Sequence, residues 1–306
     1  MSIHSTNTML FMSEAIRKRY VIESYVGVGS FGKIYKALDT QNGKIMALKV
    51  SRRSPGSENE VQILQKFMSN AFEILQSYPR CNSGSRHCPK LFSSSKDDMY
   101  VYISMEILGV PLKTYRHKSK GGKLSTACVS LIAIQCIEAL RDLHEAGYLH
   151  LDLSPANLLL GLDSDANRIF LIDFGLSKAI TDDCCYFTTD HFFGTQCYAS
   201  ISMHNLQPIG RKDDLLSLLY VLTELLTGSL PWETVQCRKD VVKMKIERFP
   251  ILCKSLPAPI RMFGEHLNEL NYMDKPDYQL LIDGFTEWLK SKKLSPDSPL
   301  DLKLKE

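Results

Sequence analysis

Four groups of residues in this chain carry the kind of side chains that handle phosphate. His150, Asp152 and Asn157 form H-x-D-x-x-x-x-N within HLDLSPANLLL, and Asp173-Phe174-Gly175 follows the apolar run IFLI. Upstream, Gly27-Val28-Gly29-Ser30-Phe31-Gly32 spells G-x-G-x-x-G, and Met46-Ala47-Leu48-Lys49 puts a lysine at the end of a strand-like run. Transfer of a phosphoryl group needs one carboxylate to accept a hydroxyl proton. It also needs an amide and a second carboxylate, both oxygen ligands, to hold magnesium between phosphates. Asp152, Asn157 and Asp173 supply those groups in that order. The glycines let a hairpin backbone approach phosphates with no side chain in the way, Phe31 can cover the top, and Lys49 can neutralise the α- and β-phosphates. Such a lysine needs a helix glutamate to hold it. Glu60, in the pattern E-x-x-I-L, is the expected partner and Glu58 the alternative.

These groups must be positioned by elements that the sequence partly reveals. From Tyr20 to Val50 the chain is rich in β-branched and aromatic residues, and Gln41 to Lys44 reads as a turn between strands, so an antiparallel meander is expected. SRRSPGS reads as a loop. ENEVQILQKFM then puts Val61, Leu64 and Met68 at helical spacing. Pro79 to Asp98 is polar and leads into MYVYISMEIL, expected to hold the last strands of a small sheet. Beyond Leu124 the pattern turns helical. Ser125 can cap a helix with Val129, Ile132, Cys136, Leu140 and Leu143 as its apolar stripe, and Gly147 can stop it. Further helices are expected over Asp213 to Leu226 and Tyr278 to Leu289.

Composition sets the outer bounds. A chain of 306 residues, 44% hydrophobic and 23% charged, can bury a sizeable core. Lys plus Arg number 37 against 34 Asp plus Glu, which makes neither nucleic acid nor an anionic membrane the expected partner. Nine scattered cysteines without repeated CxxC pairs argue against a zinc site or a disulfide framework and suit a reducing compartment, cytoplasmic or nuclear. The run Met9 to Met12 is too short for a signal peptide core or a membrane span.

In family order, the glycine loop, M-A-L-K, H-x-D-x-x-x-x-N and D-F-G resemble a eukaryotic protein kinase over roughly residues 20 to 290. Met105-Glu106-Ile107-Leu108-Gly109 and Phe193-Gly194-Thr195-Gln196-Cys197-Tyr198-Ala199-Ser200-Ile201 resemble the corresponding segments of the casein kinase 1 family. The resemblance implies a two-lobed α+β fold: an irregular leader over 1–19, a sheet-rich lobe over 20–105, a hinge over 106–112, a helical lobe over 113–290 and a flexible tail over 291–306. It implies ATP and Mg2+ as cofactors, protein substrates bearing Ser or Thr, and a monomer. Asp152 would be the catalytic base, with Lys49 and Glu60 as its catalytic partners, and Asn157 and Asp173 would hold metal. Val26, Gly27, Gly29, Ser30, Phe31, Gly32, Ile34 and Ala47 would line the nucleotide site. Met105 would be the gatekeeper, the backbone of Glu106 and Leu108 would hold adenine, and Asp214 would brace the catalytic loop.

The chain departs from the family at two cations. Leu151 stands where an arginine usually precedes the catalytic aspartate, and Ser154 where a lysine follows it. Losing the arginine predicts activity independent of activation-loop phosphorylation. Losing the lysine removes a stabiliser of the γ-phosphoryl group, so a nucleotide-binding scaffold without turnover remains an alternative. H-x-D-L-x-P-x-N-L-L also resembles small-molecule kinases of the aminoglycoside and choline type, a third reading. Cys197 replaces the arginine with which casein kinase 1 relatives read phosphorylated substrates, leaving Arg211 and Lys212 as the candidates for part of that pocket.

Overall fold

The alternation of apolar residues along Tyr20 to Arg52 needs cover on both faces of a sheet, and the fold supplies it with a helix on each side. The structure, a computed structural model, describes residues 14–77, 86–180 and 192–302. The Cys184-Cys185 pair, residues 1–13 of the leader and residues 303–306 of the tail lie outside them, as does the side chain of Met68. Strands β1 (Tyr20–Val28), β2 (Gly32–Asp39), β3 (Lys44–Arg52), β4 (Leu91–Lys96) and β5 (Tyr100–Met105) form one antiparallel sheet in the order β1-β2-β3-β5-β4. On β3 the two-residue period turns Met46, Leu48 and Val50 to one face, where they cluster with Tyr20, Tyr35 and Tyr102. Ala47 and Lys49 face the other way.

The outer cluster explains a departure from expectation. Residues 14–19, expected to be irregular, form helix α1 (Glu14–Arg19), whose Ile16 is buried against that aromatic face. The inner face is covered by α2 (Pro55–Ser77). Ser54 and Ser57 exchange side-chain and backbone hydrogen bonds at its start, a reciprocal cap, and Pro55 occupies the first helical position. Strand β3 runs on to Arg52, so the expected SRRSPGS loop shrinks to Arg53 and Ser54. A second correction concerns Pro79 to Asp98, expected as a polar connection: it contains β4, an edge strand whose Ser93 hydroxyl bonds to those of Tyr20 and Ser104 instead of presenting apolar side chains.

The helical lobe is built on α4 (Thr126–Glu145), which follows the short α3 (Leu112–Lys118). Ser125 caps α4 by accepting from the Cys128 N–H at 3.1 Å, and Gly147, with φ +87°, takes the left-handed turn that ends it. Val129, Ile132, Cys136, Leu140 and Leu143 are all fully buried, sandwiched between α6 (Arg211–Thr227) and α10 (Tyr278–Ser291). Two small hairpin-like pairs complete the cleft side: β6 (Tyr148–Leu149) with β9 (Lys178–Ala179), and β7 (Leu158–Leu160) with β8 (Ile169–Leu171). Helices α5 (Ile201–His204), α7 (Arg238–Glu247), α8 (Phe249–Ser255) and α9 (Ala258–Glu269) fill the far end. Residues 292–302 of the expected flexible tail are docked: Leu300 is buried and its N–H donates to Asn167 Oδ1 at 3.0 Å. No helix among the described residues is long and apolar enough to cross a membrane.

Helix α6 starts under a tight constraint. Its N-cap, Gly210, donates its N–H to Asp213 Oδ2 at 2.7 Å, and a Cβ at this position would overlap the carbonyl group of Tyr272. Gly210→Ala is therefore expected to cost roughly 1–3 kcal/mol and to lower the midpoint of thermal unfolding, measured by circular dichroism. An unchanged midpoint would show that the Tyr272 segment yields freely.

Candidate active site

The short β3–α2 turn decides the partner of Lys49. Because only Arg53 and Ser54 separate strand from helix, the second turn of α2 comes back alongside Lys49. The Lys49 Nζ donates to both oxygens of Glu60, at 2.7 and 2.8 Å. Glu58 instead meets Arg53 and Lys96 at the surface. The same ammonium donates to Asp173 Oδ1 at 2.9 Å. Burial would lower the lysine, but Glu60 and Asp173 outweigh it and hold the group above its ordinary value, firmly charged. Burial likewise opposes ionisation of Asp173, yet Lys49 and the Ser30 N–H, at 2.9 Å from Oδ2, keep that carboxyl below the usual range.

Asp173 is aimed by its neighbours. Its backbone is left-handed, φ 66°, and the next residue, Phe174, is buried between the rings of Phe67 and His150 at 5.8 and 5.6 Å. Asn59 of α2 donates to the carbonyls of Phe174 and Ser177, at 3.3 and 2.8 Å, tying the helix that carries Glu60 to the segment that carries Asp173.

The catalytic-loop residues hang on another carboxylate. Asp214, fully buried in the first turn of α6, accepts the N–H groups of His150 and Leu151 at 2.7 and 2.8 Å. His144 Nε2 lies 2.8 Å from the same carboxylate, and its Nδ1 is 2.6 Å from the Tyr278 hydroxyl. Burial pushes Asp214 upward, and these donors, His144 foremost, more than reverse it. Leu151 takes φ 66°, a conformation that side chains with a Cβ rarely adopt, so the loop turns where Asp214 gathers both amides. His150 acts structurally: its Nε2 lies 3.0 Å from the Ile172 carbonyl.

Asp152 and Asn157 then face the cleft. Asn157 Nδ2 donates to the Asp152 carbonyl at 2.8 Å and approaches its Oδ2 at 3.3 Å, which leaves the amide oxygen as the end available to a cation. Thr195 Oγ1 donates to Asp152 Oδ1 at 2.7 Å. Burial holds Asp152 above the usual carboxylate range even against that bond. Thr195 lay unremarked as a site residue in the sequence because its role depends on a fold contact 43 residues away; the resembling G-T-x-x-Y-A-S segment was the available signal.

A cavity of about 360 Å³ joins these groups. It is lined by Val26, Gly27, Gly29, Ser30, Ile34, Ala47, Lys49 and Glu60 from the sheet lobe, by Met105, Glu106 and Leu108 from the connection, and by Asp152, Asn157 and Asp173. Phe31 and Gly32 stand apart. The Phe31 ring does not cover the top of the cavity; it is wedged against Gly56 and Gly175, where a Cβ on either glycine would overlap it. Gly32 is required by the sheet: a Cβ there would overlap the backbone of Val50 and Ser51 on β3. The Glu106 N–H is spent on the Lys90 carbonyl at 2.9 Å, while the Glu106 carbonyl and the Leu108 N–H have no hydrogen-bond partner among the described residues.

Among the described residues that line the cavity, the carboxylates of Glu60, Asp152 and Asp173 share it with one ammonium, Lys49, which pairs with Glu60 and Asp173. That surplus of negative charge fits a site completed by a divalent cation, and the oxygens of Asn157 and Asp173 are hard ligands of the kind magnesium prefers.

Comparison with known proteins agrees with this geometry. Residues 20–301 match the model of the protein kinase domain. The chain is 32% identical over 292 residues to a Dictyostelium discoideum protein named as a serine/threonine-protein kinase, covering 94% of this chain and 57% of that protein. It is 29% identical over 239 residues to a Caenorhabditis elegans protein whose name places it with casein kinase I, covering 76% of this chain and 66% of that one. The chain thus spans about three fifths of the length of these relatives. In fold it is similar to vaccinia related kinase 3, with a TM-score of 0.78, 21% identity and coverage of 93% of this chain and 92% of that one. With the domain match running over all but the two ends, the chain belongs to the eukaryotic protein kinase family.

Proposed function

We propose that the chain transfers the γ-phosphate of ATP, with magnesium, to Ser or Thr hydroxyls of protein substrates, in the manner of casein kinase 1. The observation that carries this reading is the assembled ion pair of Lys49 with Glu60 beside an inward-facing Asp173. A scaffold that had abandoned transfer would have no chemical use for three carboxylates around one buried ammonium. Magnesium, when bound, neutralises and orients the phosphates; Asn157 and Asp173 would hold it. Lys49 fixes the phosphates, the Glu106 carbonyl and Leu108 N–H receive the adenine edge, and Asp152 accepts the proton of the substrate hydroxyl. Asp152 is held in place for this by Thr195 and Asn157, and burial raises its basicity toward the range a general base needs.

Two departures from the family shape the proposal. Leu151 is buried in an apolar cluster with Leu149, Ala199, Met203 and Ile209, against Phe192 and Phe193. Apolar packing at that position supports activity that needs no activation-loop phosphate. Lys212, a candidate for reading phosphorylated substrates, donates instead to the Leu270 carbonyl at 2.6 Å, and Cys197 is half-buried with its thiol pushed up to about 12 by burial. These placements favour unprimed substrates. A monomer in a reducing compartment, cytoplasm or nucleus, suits the scattered cysteines, six of which are free among the described residues.

In an assay with radiolabelled ATP, magnesium and a casein-like protein, Asp152→Asn should reduce transfer by ~10²–10⁴-fold relative to the natural chain. Equal transfer by both would reject Asp152 as the base. Ser154→Lys should raise turnover, by up to ~10²-fold for one restored stabiliser of the transferring group. If single-turnover rates stay the same in an active enzyme, another cation already serves the γ-phosphoryl group.

A further inference from the structure

Behind the segment that carries Thr195 lies a buried lysine that has no counter-ion among the described residues. Lys245, on α7, is 1% exposed. Its Nζ donates to the carbonyls of Ala199 and Gln196, at 2.5 and 3.1 Å, and stands 3.1 Å from His204 Nε2. The rings of Tyr220 and Trp232 face it, with centroids at 4.8 and 5.4 Å. Among the described residues no carboxylate pairs with it. An ammonium buried this way is costly, and a fold holds one only where fixed dipoles and π faces replace its water.

We propose that Lys245 is a positioning residue for the acceptor substrate: its head group anchors residues 195–199 from behind, so that Thr195 meets Asp152 and the outer edge of the segment offers a fixed docking rail. The proposal rests on the kinase reading above. The carbonyls of this segment are tied inward one after another. Lys245 takes those of Gln196 and Ala199, the Trp232 Nε1–H donates to that of Cys197 at 2.8 Å, and the Thr195 carbonyl accepts the N–H groups of Tyr198 and Ala199. Gln196 in turn donates its side-chain amide to the Val235 carbonyl at 3.1 Å. Releasing the lysine end removes two of these ties at once, and the segment's side-chain hydrogen bond to the catalytic loop is that of the Thr195 hydroxyl on Asp152.

The anchor is built to titrate near neutrality. Burial lowers Lys245 to about 7. The groups that face it are His204 on α5, lowered to about 4 by burial and by Lys245 itself, and Cys197, pushed up to about 12 by burial. Tyr220 on α6 is pushed up by burial, with Asp213 beyond it raised to about 6 by the same cause. On α7 itself, Arg238 lies over Phe192 at 5.7 Å, and Phe192 stacks on His204 at 5.0 Å. Below about pH 7 the ammonium makes charge-assisted bonds to the carbonyls; above it, a neutral amine makes weaker ones. Stability runs the other way. The folded value lies below the unfolded one, so the unfolded chain binds the extra proton between about 7 and the ordinary lysine range, and this group's contribution to stability rises with pH there. Loss of acceptor affinity alongside unchanged or rising thermal stability is therefore the mark of this anchor and not of general loosening.

The test compares the natural chain with Lys245→Met, which removes the donors, and Lys245→Gln, which keeps a neutral donor. Steady-state transfer to a casein-like acceptor is measured from pH 6 to 8.5, with hydrogen exchange across residues 195–204. Lys245→Met should raise the KM for acceptor about tenfold, since the Ala199 carbonyl loses its donor and the Gln196 carbonyl keeps only His204 Nε2, 3.1 Å away, and leave the KM for ATP within twofold. The natural chain should lose acceptor affinity through an inflection near pH 7. Lys245→Gln should flatten that inflection, whereas an inflection that persists in it belongs to a group other than Lys245 and overturns the pH part of the proposal. An unchanged acceptor KM in both variants overturns the positioning role. If Lys245→Met does not fold, Lys245→Gln and the natural chain's profile decide. If the natural chain shows no transfer at all, the kinase reading fails separately. Exchange across 195–204 then decides the anchor: faster in the variants supports it, and the same rate in all three chains overturns it.

Discussion

One buried ammonium organises the cleft. Lys49 sits where three elements converge: the middle strand of the sheet, the second turn of the α2 that follows it and, 124 residues on, Asp173 just beyond β8. Removing Lys49 would leave both carboxylates uncompensated in a low-dielectric setting, so sheet, helix and helical lobe are tied to one centre. The orientation of α2 follows, and with it the Asn59 bonds that fix the backbone of Phe174 and Ser177. The glycine loop is drawn in by the same centre, since the Ser30 amide donates to the Asp173 oxygen that Lys49 leaves free. Loop, lysine and Asp173 are thereby one linked system.

A second carboxylate does the corresponding work in the helical lobe, by a different physical route. Asp214 is satisfied by two backbone amides and an imidazole, in the first turn of a helix whose dipole favours negative charge. Two amides from consecutive residues can converge on one carboxylate only if the chain turns sharply, and the left-handed backbone of Leu151 is that turn. Asp152 follows immediately and is thereby pointed into the cleft. The strain at Leu151 is over-determined from two sides, by Asp214 at its amide and by apolar packing at its side chain.

Legibility in the sequence tracked the range of the interaction. Elements governed by local periodicity and capping, such as α4 with Ser125 and Gly147, could be read because their causes lie within a few residues. That Lys49, Asp152, Asn157 and Asp173 belong together could be read because the chemistry expected of them calls for residue types in a fixed order, and they line one cavity. Glu60 was distinguishable from Glu58 only once β3 was seen to run to Arg52, a boundary set by pairing with β5 across the sheet. Helix α1 and the docked tail were invisible for a related reason: Ile16 and Leu300 stand in short, mostly polar stretches, and only the surfaces they cover reveal their purpose. Strand β4 escaped because an edge strand that satisfies its serines by cross-strand hydroxyl contacts carries no apolar alternation. Phe31 was assigned to the wrong surface because sequence cannot show that Gly56 and Gly175 bare their backbones to the same ring.

The distribution of positive charge is where this chain most differs from what its family resemblance implies, and the structure separates two tasks that such charges perform. Holding the activation side of the cleft in place is a structural task, and it can be met without a cation beside the catalytic aspartate. Leu151 meets it by burial among Leu149, Ala199 and Met203, and Lys245 secures the adjoining carbonyls from the far side. Stabilising the transferring phosphoryl group is a chemical task, and a serine at position 154 meets it only with a hydroxyl. The first substitution therefore leaves architecture intact, while the second bears directly on rate, by ~10²–10³ for one missing preorganised stabiliser. On the proposed reading, a fold in which Lys49, Asn157, Asp173 and the Thr195-held Asp152 all remain assembled keeps the rest of the machinery that transfer needs, so the loss would scale turnover down and would not remove the reaction.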